Sequence, residues 1–177
     1  MSDKDLITGC LKNDRNSQRA LFDKYSGTMK SVCLRYLGGM DQEAEDILQD
    51  GFIIVFEKLK TYKFEGSFEG WIRRIIVNLC LKYLIENKKS NVEDIGKVGD
   101  FEDSNIDIIN KMTVEKLMQN VMDMPGGYRT VFNMFVIEGY NHREIAKVLK
   151  IEESTSRSQL AKAKLFLRNR LNESDFS

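Results

Sequence analysis

Apolar side chains recur every three or four residues through almost the whole of this chain, and only one proline, Pro125, stands among them. Together these two features constrain the fold more than anything else in the sequence. A period near 3.6 places such residues on one stripe of a helix, whereas proline breaks helix interiors by removing a backbone donor. From Ser17 to about Leu37, the residues Leu21, Phe22, Tyr25, Met29, Val32, Cys33 and Tyr36 make one broad apolar face, which Gly38-Gly39 ends. Asp41 is the expected N-cap of the next helix, with Glu43, Glu45 and Asp46 suited to the positive end of its dipole. That helix carries Ile47, Leu48, Phe52, Val55, Phe56 and Leu59 to about Lys60. Gly51 lies in its interior, at a cost of about 1 kcal/mol relative to alanine. An aromatic loop, Tyr62 to Phe68, leads into a helix from roughly Glu69 to Asn87 built on Trp71, Ile72, Ile75, Ile76, Leu79, Tyr83 and Leu84.

The periodicity fails from Lys88 to Asn110, an acidic stretch containing Asn and Gly that reads as a tether too long for a loop within one domain. Helices resume from Thr113 to Asp123, break at Met124-Pro125-Gly126-Gly127 and restart through Tyr128 to Ile137. No useful length of β-alternation appears. The expected fold is all-α: two small helical domains, 1–87 and 112–177, joined by a flexible linker at 88–111. A chain of 177 residues is long enough for that division.

Composition narrows the chemistry. A single histidine, His142, excludes a His-cluster metal site and argues against histidine catalysis. Three cysteines without a CxxC pair suggest neither disulfides nor zinc, and point to a reducing cytoplasm. Cys80, between Leu79 and Leu81, reads as packing rather than as a redox sensor. The charged start Asp3-Lys4-Asp5 is unlike a signal peptide, and the apolar run GFIIVF at 51–56 is too short to span a membrane. No metal or cofactor is expected. Nor is catalysis, because the acidic surface Glu43-Glu45-Asp46-Gln49-Asp50 has no accompanying base, nucleophile or phosphate loop.

The formal charge is zero, but positive charge is concentrated locally: Arg143 to Arg170 holds 8 basic residues against 3 acidic ones. Asn141-His142-Arg143-Glu144 has the pattern of a capping box. The helix it opens is expected to bury Ile145, Ala146 and Leu149, and Ser154 or Thr155 to cap a last helix running to about Leu171. A short helix, a tight turn and a longer basic helix make a helix-turn-helix. Leu160, Ala163, Leu167 and Leu171 would face inward, and Arg157, Ala161, Lys164 and Arg168 outward. In a major groove Ser154, Ser156, Arg157 and Ser158 would meet base edges, while Lys162, Lys164 and Arg168 would meet phosphates. A merely solvated amphipathic helix would carry the same charges; the capped helix and turn before it favour DNA.

Aromatics interleaved with Lys63, Arg73 and Arg74 suit unstacked single-stranded bases. By residue type Tyr62, Phe68 and Trp71 are expected in the core, with Phe64 the best candidate for an exposed ring. Arg74, Asn78 and Lys82 form one polar stripe.

These segments, in this order, resemble bacterial sigma factors of the sigma-70 family, extracytoplasmic-function (ECF) group. Glu43 to Phe52 resembles the group's polymerase-binding segment, and Phe64 to Asn78 its promoter-melting, −10-reading segment. Met124 to Tyr140 resembles the start of its −35-binding domain, and Arg143 to Lys164 its helix-turn-helix. Two departures stand out: Lys82 where the group often has an acidic residue, and Ile85 where arginine is common. The resemblance implies that 1–87 is region 2 and 112–177 is region 4. Asp46, Leu48, Gln49, Asp50, Ile53 and Phe56 would then dock on the clamp coiled coil of the largest subunit of core RNA polymerase. Lys63, Phe64, Ser67, Phe68, Arg73, Arg74 and Asn78 would hold the opened −10 strand with a flipped base. Arg143, Ser154, Thr155, Ser156, Arg157, Ser158, Lys162, Lys164 and Arg168 would read the −35 duplex. The implied partners are core polymerase, promoter DNA and an anti-sigma factor. Two readings stay beside this one: a stand-alone helix-turn-helix regulator, and a helical interaction protein without DNA contact.

Overall fold

A computed structural model describes residues 2–87 and 112–175, with side chains to 172. The expected tether at 88–111 lies outside the described residues. The chain divides into two compact units, 1–86 and 87–177, and every described element is helical.

The first unit holds α1 (Asp3–Leu11), α2 (Arg15–Leu37), α3 (Asp41–Lys58), a 3₁₀ turn (Leu59–Thr61) and α4 (Phe68–Glu86). The periodicity from Ser17 onward did not reveal α1, although its start carries a capping box. Ser2 Oγ accepts from the Asp5 N–H while the Asp5 carboxylate accepts from the Ser2 N–H. The helix is only nine residues long, and it tucks Leu6, Ile7 and Cys10 against α2. Long α2 is the spine on which α1, α3 and α4 pack. Leu21, Met29, Cys33 and Tyr36 along it are fully enclosed. The helix ends at Gly38, whose φ of 67° is the left-handed conformation that suits glycine.

Two local expectations need correction. Asp41 is the first helical residue of α3 rather than its cap; Met40 occupies the cap position without a side-chain bond. Gly51 is no defect, because a Cβ there would collide with Ile76 Cδ1 and lie 3.5 Å from Leu79 Cδ1. The missing side chain lets α3 approach α4, and this close packing offsets the helix-propensity cost.

The second unit holds α5 (Val114–Asp123), α6 (Gly126–Phe132), a π-helical turn (Asn133–Ile137), α7 (His142–Leu149) and α8 (Glu153–Asp175). Thr113 caps α5, accepting from the Lys116 N–H. At its other end Arg129 Nη1 donates to the carbonyls of Met122 (3.1 Å) and Met124 (2.8 Å), satisfying acceptors the helix leaves open. Phe132, Met134, Ile145, Ala163 and Leu167 form the core, where α6 and α7 both pack on α8. The π turn was not anticipated. It widens the helix after Phe132 and carries Phe135 against the ring of His142, with centroids 4.5 Å apart.

Candidate functional site

Helix α3 splits cleanly into two faces. Ala44, Ile47, Leu48, Gly51, Phe52 and Val55 are buried, while Asp46, Gln49, Asp50 and Ile53 form an exposed stripe at helical spacing. Ile53 is 57% exposed, a large apolar side chain in water on an otherwise polar ridge. Phe56 is half-buried. Leu48 is 2% exposed and belongs to the core. Its spacing of four residues from both Ala44 and Phe52 puts it on the inward face, so it cannot present a docking contact.

The loop after the 3₁₀ turn is shaped by rings. Tyr62 packs at 5.0 Å from both Phe64 and Phe68 and at 5.4 Å from Trp71, and Phe68 stacks on Trp71 at 5.7 Å. The Tyr62 hydroxyl donates to the Gly66 carbonyl at 3.0 Å and closes the loop on itself. Gly66 at φ 79° allows the reversal, and Phe64, 58% exposed, is held at φ 59°. A bulky residue in the left-handed region is strained and requires surrounding structure to keep it there. Of the residues expected to meet single-stranded DNA, Lys63, Phe64, Ser67, Arg74 and Asn78 are exposed. Arg73 is partly covered, 3.8 Å from Glu69. Phe68 is 3% exposed and serves as the loop's floor rather than its face. Ser67 Oγ accepts from the Gly70 N–H at 3.0 Å and so caps α4.

Between this loop and the start of the chain lies an open cleft of about 550 Å³, lined by Asp3, Lys24, Tyr25, Tyr62, Phe64 and Ser67 among others. Asp3 Oδ1 accepts from Lys24 Nζ at 2.7 Å and from the Tyr25 hydroxyl at 2.6 Å. Those two donors hold the Asp3 carboxyl below its ordinary range. Burial, with the neighbouring carboxylate, pushes Tyr25 up to about 12. The wall is therefore an ionised carboxylate beside an ammonium. The sequence carried no signal that α1 would contribute to this cleft.

In the second unit the capping box stands as expected: Glu144 N–H donates to Asn141 Oδ1 at 2.9 Å, and Asn141 N–H to Glu144 Oε2 at 2.8 Å. Ile145 and Ala146 are buried and Leu149 is half-buried. The chain turns at Lys150, a left-handed residue at φ 55°, and α8 begins at Glu153. Ser154 and Thr155 therefore lie within its first turn and do not cap it. Leu160, Ala163 and Leu167 face the core; Leu171 is half-buried. Arg143, Ser154 and Arg157 are exposed, and Thr155, Lys162, Lys164 and Arg168 are partly so. Arg157 pairs loosely with Glu153 at 3.2 Å. Lys162 Nζ sits 5.8 Å from the centre of the Tyr128 ring.

Ser156 is fully buried and cannot meet a base edge. It lies four residues before Leu160, on the inner stripe, a spacing that sequence reasoning could have used. Its hydroxyl is 2.8 Å from His142 Nδ1. Ser158 Oγ is likewise enclosed, without a hydrogen-bond partner among the described residues. The outward face of α8 is thus narrower than its composition suggested.

Cys33 and Cys80 are fully buried, and the hydrogen bond between them, with burial, keeps the Cys80 thiol protonated. Among the described residues no group of His, Cys, Asp and Glu could hold a metal ion, and no helix is long and apolar enough to cross a membrane.

The second unit is that of a helix-turn-helix protein, and comparison with known proteins narrows the class. Residues 21–90 match the model of sigma-70 region 2, and residues 114–167 that of sigma-70 region 4. The ECF RNA polymerase sigma-E factor of Haemophilus influenzae is 23% identical over 97% of this chain and 96% of its own length. The ECF sigma factor SigW of Bacillus subtilis is 24% identical over 92% of each chain. Among solved structures, CnrH in complex with the cytosolic domain of CnrY covers 97% of both chains with a TM-score of 0.51 at 17% identity, a likeness of fold. The chain belongs to the sigma-70 family of RNA polymerase sigma factors, in its ECF group.

Proposed function

We propose that this protein binds core RNA polymerase and directs promoter-specific transcription initiation, with the labour divided between its two units. The observation that carries this reading is one chain holding both region 2 and region 4, each with an exposed surface suited to its task. In the first unit, the Asp46, Gln49, Asp50 and Ile53 stripe offers acceptors around one apolar anchor, the chemistry of a helix that docks on a partner helix pair. The Lys63–Ser67 loop, with Arg74 and Asn78, offers one exposed ring with cations and an amide beside it, which suits an unstacked base and its phosphates. The cleft beneath Phe64 gives such a base somewhere to go. In the second unit, the α7–α8 turn presents Arg157 to base edges and Lys162, Lys164 and Arg168 to phosphates. Residues 88–111 would tether the two readings. The protein performs no chemistry of its own in this scheme, and it acts in the cytoplasm, where polymerase and promoter are found.

A stand-alone helix-turn-helix regulator would leave unexplained why the acidic ridge with Ile53 and the strained aromatic loop occur together. The discriminating experiment is a pull-down of bacterial core RNA polymerase with wild-type protein and with Gln49→Ala, Asp50→Ala and Ile53→Asp combined. All three side chains are exposed, so the variant is expected to fold as wild type and to lose capture. Wild-type protein that fails to capture core polymerase, yet binds duplex DNA tightly alone, would sink the sigma reading.

A further inference from the structure

We propose that His142 is a positioning residue for duplex reading: through Ser156 it sets the rotation and depth of the first turns of α8, from which Arg157 faces outward. This rests on the reading of α8 as the −35-reading helix. Ser156 occupies a position on the inner stripe of α8 that the pattern Leu160, Ala163, Leu167 would give to an apolar residue. It is polar and fully enclosed, and its hydroxyl meets His142 Nδ1 at 2.8 Å. Enclosed hydroxyls need a partner, and a contact of this length is directional where apolar packing is not. The imidazole is itself held in place, stacked at 23° on Phe135 from the π turn, and it opens α7 immediately after the Asn141 cap. The first residue of α7 is thereby linked to the end of the first turn of α8 by an oriented bond, reinforced from behind by a ring.

Arg157 follows Ser156, about 100° further round the helix. Side-chain tips lie about 5–6 Å from a helix axis, so a rotation of about 20° would shift an outward group by roughly 2 Å. Reading a base edge tolerates only about 0.5 Å. A polar tie that holds the helix's rotation is therefore aimed at specificity more than at stability.

The chemistry makes the test sharp. Asparagine places an amide where Nδ1 stands, whereas glutamine places it nearer Nε2. The reconstituted holoenzyme would be used to select −35 duplexes from a randomised promoter library, with wild type, His142→Asn, His142→Gln and Ser156→Ala. Core capture and thermal melting would be read alongside. His142→Asn is expected to recover the wild-type −35 motif. His142→Gln and Ser156→Ala should capture core polymerase and keep the wild-type salt slope of DNA binding, yet lose about tenfold in preference for the selected motif over random duplex. Glutamine and alanine variants that recover the wild-type motif at full preference would overturn the proposal, as would an asparagine variant no better than glutamine. A wild-type holoenzyme that selects no −35 motif would instead bring down the reading of α8 itself.

Discussion

The aromatic loop of the first unit and the last helix of the second present their outward side chains by opposite means. At the loop the backbone is irregular, and Phe64 is exposed only because Tyr62, Phe68 and Trp71 pack behind it and hold a strained φ of 59°. On α8 the backbone is regular, and Arg157 faces outward because Ser156, Leu160 and Ala163 face in. The loop spends core packing to display one ring; the helix displays a row of cations as a by-product of its period. A change behind the loop should therefore destroy its display, whereas the helix should tolerate changes that leave its inner stripe whole.

The largest effect expected from this contrast is at Phe68, the loop's buried floor. Phe68→Ala should cost about 3–5 kcal/mol in thermal or urea unfolding of the first unit. Phe64→Ala, although only four residues away, should leave melting nearly unchanged and weaken binding of single-stranded −10 DNA by about 1–3 kcal/mol. Equal effects of the two on stability would erase the distinction between floor and face. Next comes Arg157→Ala, expected to cost about 1–3 kcal/mol in −35 affinity and to relax preference at one base pair while melting stays put. A uniform loss across all sequences would make Arg157 a phosphate contact instead.

Smaller, and of opposite sign, is Lys150→Gly. Lys150 is held in a left-handed conformation that costs an ordinary residue about 1–2 kcal/mol, so glycine should stabilise the second unit by about 1 kcal/mol. A calorimetric Tm that falls would show that the lysine side chain contributes more than its strain costs. The smallest effect concerns pH. Burial first, and then Arg157, hold His142 below its ordinary 6.5, with Lys164 acting the same way and Glu153 opposing. The folded unit resists a proton that the unfolded chain accepts. Its stability should therefore be complete above about pH 7 and decline as pH falls through 6.5 and below. His142→Asn should flatten that decline in acid-unfolding curves.

The class of fold and most of the helices were legible in the chain's local pattern, because helical period, caps and glycine stops act between residues a few positions apart. The Asn141–Glu144 box, the Gly38 stop and the outward turn of Asp46, Gln49, Asp50, Arg74 and Asn78 are all local consequences. Helix α1 was as legible as the eight-residue α7, through the Ser2–Asp5 capping box and the positions of Leu6, Ile7 and Cys10. The tertiary structure decided which of the chemically suitable side chains reach water. It enclosed Ser158 Oγ, turned Gly51 from a weakness into a contact, and brought Asp3 and Lys24 to the wall of a cleft. Burial depends on what fills the space opposite a residue, and that neighbour comes from a distant part of the chain that no local period encodes.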